Sequence, residues 1–259
     1  MLERAIVSPS IEKTGGQSLL AFYAELSSPT SVLVYNSQTN NLLRLSQIGH
    51  TVNPQADKAR QILSQYPIWP YLYKFWSLIR ESSYRNSPFT PSNLPDDAKV
   101  IYGHFIADTF DGCVTDPFLT IVVRDPFSRM WSQYQYWETH KGIPDWRKPI
   151  PYDEQMTFEE YALLEELRNY QTQILAGKEL GQFVVGTTES LGLFGQVLVR
   201  KLQDQRLLKP SNSGLVMPRI NHIPSSEQPD ERFRPMFEKI HQEDVELYKH
   251  AAKVVEGYI

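Results

Sequence analysis

The stretch Ile11-Glu12-Lys13-Thr14-Gly15-Gly16-Gln17-Ser18-Leu19-Leu20 constrains this chain more than any other. Ala5, Ile6 and Val7 ahead of it form the kind of short apolar run that makes a buried strand. Ser18 to Leu26 after it is free of Gly and Pro, with Leu19, Leu20, Phe22, Tyr23 and Leu26 at helical spacing. The order is therefore strand, glycine turn, helix. Two adjacent glycines allow close approach of a ligand to the backbone, and the first amides of a helix are donors at the positive end of its dipole. Such a turn suits an anion. The competing explanation is a glycine turn that only lets a helix pack on a strand. A Walker A loop is absent, because Lys13 precedes the glycines instead of following them.

The remaining elements extend the same α/β alternation. Ser31–Tyr35 reads as a second strand, so the βαβ order predicts a parallel pair with a right-handed crossover. Residues 36–54 are polar and irregular, 55–66 is a helix, and 66–84 is dense in aromatics, fitting either a core helix or an acceptor-binding wall. Residues 36–98 are expected to form an insertion or lid within one domain spanning 1–259.

Strands are expected over Lys99–Phe105 and Phe118–Val123. The first places His104 at a strand end, the side of an open α/β sheet where ligands lie. The second runs into Arg124-Asp125-Pro126, with Asp125 as a helix cap and Pro126 in the first helical position. Arg124 and Ser132 stand eight positions apart, one at the strand end and one two turns into that helix, where both could meet one anion. Thr157 to Ala176 reads as one amphipathic helix opened by a Thr157/Glu160 capping box. Phe183–Gly186 is a further strand, Leu191–Gln205 a helix, and one or two helices close the chain from Glu231.

With a formal charge of −4, no whole-protein field favours nucleic acid, so an anion site has to be local. Cys113 is the only cysteine, which excludes an intrachain disulfide and fits a reducing compartment. The N-terminus passes almost at once into the first strand, leaving no room for a signal peptide or membrane anchor, so a cytoplasmic protein without a membrane span is expected.

Taken together, three patterns resemble the PAPS-dependent sulfotransferases of the carbohydrate and heparan sulfate 2-O-sulfotransferase-like group, in a soluble form. Lys13-Thr-Gly-Gly-Gln-Ser18 is similar to their 5′-phosphosulfate loop, Gly103-His104-Phe105 to their catalytic-histidine strand, and Val123-Arg124-Asp125-Pro126 through Ser132 to their 3′-phosphate motif. Asn169–Gly177, Val185–Glu189 and Glu243–Tyr248 read as further landmarks of that group.

The resemblance implies an α/β fold with a central parallel sheet, a P-loop-like turn and helices on both faces. It implies 3′-phosphoadenosine 5′-phosphosulfate as donor, a small-molecule or glycan hydroxyl as acceptor, and no metal. Lys13, Thr14, Gly15, Gly16, Gln17 and Ser18 would hold the 5′ end, with Lys13 also stabilising the departing oxygen. Arg124 and Ser132 would hold the 3′-phosphate, Arg219 and Asn221 would contact adenine, and His104 would be the general base, with His140 in reserve. Glu12 departs from the pattern, standing where the group has proline and placing an acid beside an anion site. A small-molecule kinase or a catalytically inactive nucleotide-binding module remain the other readings.

Overall fold

The computed structural model describes residues 2–36, 40–47, 89–139, 152–208, 215–218 and 229–258. The expected helix over 55–66, the aromatic segment 66–84, His140, Arg219 and Asn221 lie outside the described residues.

Six strands form one sheet: β1 (Leu2–Pro9), β2 (Val32–Asn36), β3 (Asn41–Arg44), β4 (Val100–Gly103), β5 (Val114–Val123) and β6 (Val184–Thr187). Their order is β3-β2-β4-β1-β5-β6, all neighbours parallel except the β2/β3 pair. Strands buried on both faces carry near-continuous apolar runs, and all four residues of β4 are buried. Helix α1 (Gly16–Ser27) and helix α5 (Leu191–Asp204) cover one face, where Phe22, Tyr23, Phe194 and Leu198 pack on Ile6, Val100 and Val122. The other face is covered by α4 (Tyr170–Ile174) and α7 (Gln242–Glu256), with Ile174 and Ala251 against Ile121, Val123 and Val185. Between these layers and the end of the sheet, α2 (Pro126–Thr139), α3 (Phe158–Ala162) and α6 (Arg234–Ile240) share an aromatic cluster centred on Phe127, Phe158 and Phe237.

The mostly parallel sheet, the helices on both faces and the Thr157/Glu160 capping box agree with the sequence reading. Three local features differ. Residues expected to be irregular include β3, whose Leu42 is fully buried and pairs with Tyr35 of β2. Strand β5 begins at Val114, earlier than expected. Residues 114–117 pair with β1 alone, β6 starting opposite Thr120, so this length is an edge and tolerates Pro117.

The single helix expected over 157–176 is instead α3, a 3₁₀ turn at Glu165–Leu167 and α4. Its break has a tertiary cause. Asn169 sits left-handed at φ 48°, and the Asp244 carboxylate of α7 accepts from the Gln171 and Thr172 amides at 3.1 and 2.7 Å, capping a new helix.

Candidate functional site

Because β1, β4, β5 and β6 are parallel, their C-terminal ends lie along one edge, and the chain leaves them as the Ser10–Gly15 turn, His104, Arg124 and Thr188. The turn is tied down first. The Ser10 amide donates to the Gly103 carbonyl at 2.7 Å, and the Thr14 hydroxyl donates to the Ile11 carbonyl at 2.8 Å. Lys13 at φ 66° and Gly15 at φ 91° are both left-handed and reverse the chain into α1. At Gly15 a Cβ would also stand 2.7 Å from Leu191 Cδ1, so any other residue there is both strained and crowded. On the far side of the turn, the Tyr102 hydroxyl donates to the Gly16 carbonyl at 2.8 Å and lies the same distance from Ser10 Oγ.

Thr14 and Ser18 are each 1% exposed. The Thr14 hydroxyl closes the turn, whereas the sequence reading gave it to a ligand. The helical ladder of α1 opens with the Leu19 amide on the Gly15 carbonyl, so the turn leads directly into a helix N-terminus.

Two cations meet at this turn. Arg124 Nη1 donates to the Lys13 carbonyl at 3.1 Å, and Lys13 Nζ lies 3.7 Å from the centroid of the Tyr136 ring. Burial, the Arg124 guanidinium and, in the opposite sense, Glu12 together lower the Lys13 ammonium from its ordinary value to about 8. Burial also lowers Arg124, against the stabilising field of Glu189. Neither side chain has a carboxylate within ion-pair distance among the described residues. An anion placed here would meet two desolvated cations and a helix N-terminus, and the donor set fits a phosphate or sulfate.

Arg124 is held with care. Gln171, fully buried, accepts from the Arg124 amide at 3.0 Å and donates to its carbonyl at 2.9 Å. Asp244 fixes Gln171 through the Gln171 amide, and the Tyr248 hydroxyl donates to Glu189 at 3.3 Å. These residues fall in the Asn169–Gly177, Val185–Glu189 and Glu243–Tyr248 stretches, where sequence patterns gave them no role. A buried Gln that satisfies both polar groups of one backbone residue leaves no spacing signature. Ser132 stands one turn before Tyr136 on α2, so the two share a helix face, and Lys13 lies over the Tyr136 ring. Asp125 caps the Ser128 amide at 2.9 Å, as expected.

His104 follows β4 directly. Its Nδ1 lies 2.7 Å from the Ser10 carbonyl, which fixes the Nδ1–H tautomer and leaves Nε2 as the acceptor. Gly103, at φ 151°, permits this placement, since a Cβ there would sit 2.8 Å from the Tyr35 carbonyl. The His104 side chain is 51% exposed.

No helix among the described residues is long and apolar enough to cross a membrane, and among them no group of three or more His, Cys, Asp or Glu side chains could hold a metal ion. No protein-family model matches the chain, and no curated protein matches it.

The lowered Lys13 ammonium sets a pH test. Below about 8 folded and unfolded chains both carry the proton, and the burial cost is fully present. As pH rises from about 8 toward the ordinary lysine value of 10.5, the folded chain sheds its proton first and gains stability. Thermal melts of wild type should therefore gain on those of Lys13→Met over that interval. Parallel curves would refute the shift.

Proposed function

We propose that the chain is a sulfotransferase that moves the sulfuryl group of 3′-phosphoadenosine 5′-phosphosulfate to a hydroxyl acceptor. The observation that carries this reading is the Lys13–Arg124 pair, two desolvated cations without a carboxylate partner among the described residues, side by side beyond the carboxyl ends of parallel strands. In this reading the turn is P-loop-like. Backbone of Gly15, Gly16, Gln17 and Ser18 receives the 5′-phosphosulfate, and Arg124 with Ser132 receives the 3′-phosphate. Lys13 swings from the Tyr136 face to the oxygen bridging sulfur and phosphorus, where charge grows as that bond breaks. His104 takes the acceptor's proton on Nε2.

The test is binding followed by transfer. Stabilisation by 3′,5′-ADP but not by ATP with magnesium is expected in a thermal-shift assay, then transfer of label from the radiolabelled donor to an acceptor in a hydroxyl library. Stabilisation by ATP with magnesium alone would favour a kinase. Nucleotide binding without transfer to any acceptor would favour an inactive binding module. Arg124→Ala should weaken 3′,5′-ADP roughly tenfold to a hundredfold, the worth of one charge-assisted hydrogen bond set, in a titration calorimeter. Unchanged affinity would remove Arg124 from the site.

A further inference from the structure

Glu12 is the residue that the anion site does not want, and its surroundings give it another task. Its side chain is 19% exposed, with Oε1 3.7 Å from His104 Nδ1 and Oε2 buried without a hydrogen-bond partner of good geometry among the described residues. The charged and titratable groups around it come from five elements. They are His104 after β4, Lys13 in the turn, Tyr102 in β4, Tyr161 in α3 and Tyr170 in α4, with Arg129 of α2 beyond the last two. Burial raises all three phenols and the Glu12 carboxylate raises them further, so they stay neutral. Arg129 is fully buried with its guanidinium 5.2 Å from the Tyr170 ring centroid, so a positive charge adjoins the phenols that the Glu12 carboxylate also acts on. Of Glu12 and His104, only the imidazole is widely open to an acceptor.

We propose that Glu12 is the positioning carboxylate of His104, holding its ring with the Ser10 carbonyl and balancing the imidazolium formed during transfer. This rests on the transfer reading above. In the step, the acceptor oxygen forms its bond to sulfur while the bond from sulfur to the bridging oxygen breaks. That electron pair leaves on the phosphate of 3′,5′-ADP, and the acceptor proton passes to His104 Nε2. The imidazolium so formed is met by Glu12, which itself keeps no proton. Glutamate in place of proline beside the lysine thus becomes a cost to anion binding that is offset at the base.

Two readouts separate this role from a merely structural one. In the first, Glu12→Gln lowers kcat roughly tenfold or more in the His104 background, with 3′,5′-ADP affinity not weakened, and Glu12→Asp recovers part of the loss. The same Glu12→Gln change alters the residual rate of His104→Ala less than about twofold, because the partner it acts through is gone. A loss of equal size in both backgrounds overturns the proposal, as does an unchanged kcat. In the second, an NMR titration of the His104 ring in full-length protein gives a lower midpoint in Glu12→Gln than in wild type, because the carboxylate that balances the imidazolium is gone while the Ser10 carbonyl still holds the Nδ1–H. Equal midpoints overturn the pairing. The titration needs no donor, so if wild type transfers no sulfate the transfer reading falls, and the midpoint difference alone decides whether Glu12 and His104 act together.

Discussion

Asp244→Ala is expected to cost roughly 3–5 kcal/mol of stability, because it orphans three donors at a site only 1% exposed. The Gln171 amide, the Thr172 amide and the Thr172 hydroxyl donate to this carboxylate at 3.1, 2.7 and 2.9 Å. Each is buried or half-buried, and a methyl group returns none of those bonds. The damage should also travel to the site. Asp244 holds Gln171, Gln171 holds both backbone groups of Arg124, and Arg124 braces the Lys13 carbonyl. Under the proposed function, Asp244→Ala should therefore weaken 3′,5′-ADP binding even where the protein is folded, whereas Asp244→Asn, which keeps an acceptor oxygen, should lose less of both. Urea unfolding at constant m gives the stability difference. A loss below about 1 kcal/mol would mean that water replaces the carboxylate without penalty.

The second large effect is on turnover. Under the proposed function, His104→Ala should reduce sulfate transfer by roughly 10²- to 10⁴-fold, the range that a positioned general base contributes. The side chain is half exposed and, among the described residues, its hydrogen bond goes to the Ser10 carbonyl, so the stability loss should be about 1 kcal/mol, well below that of Asp244→Ala. Binding of 3′,5′-ADP should be preserved. Single-turnover assays with labelled donor measure the first quantity and calorimetry the second. Full turnover in His104→Ala would take the base assignment away from this residue.

The sheet was legible because its strands are buried on both faces and therefore read as apolar runs; Phe118–Val123 is the clearest of them, and Arg124 at its end was placed correctly for the same reason. His104 was legible as a strand-end residue. What stayed hidden depends on contacts between distant segments. Strand β3 is four residues long, and its Leu42 and Leu43 make too short a run to stand out in a polar stretch. The break between α3 and α4 is imposed by Asp244, some seventy residues away, against a pattern whose local helical signal was sound. Lys13 over Tyr136 and Glu12 beside His104 depend on a left-handed lysine that no local rule anticipates, since a non-glycine residue at φ 66° is uncommon.

The position of β1 between β4 and β5 bears on how the chain reaches its native state. Ile6 aligns with Val100 on one side and Phe118 on the other, so the strand that leads into the Lys13 turn has no partner until residues roughly a hundred positions later have been made. Pairing over such separations closes long loops before any contact repays the entropy, which slows folding and leaves an apolar strand waiting. During synthesis β1 and α1 emerge as a hydrophobic strand and helix without a sheet to join. That waiting interval is where chaperone binding or premature association would act on this protein, and the edge that carries the Lys13 turn comes into being only when it ends.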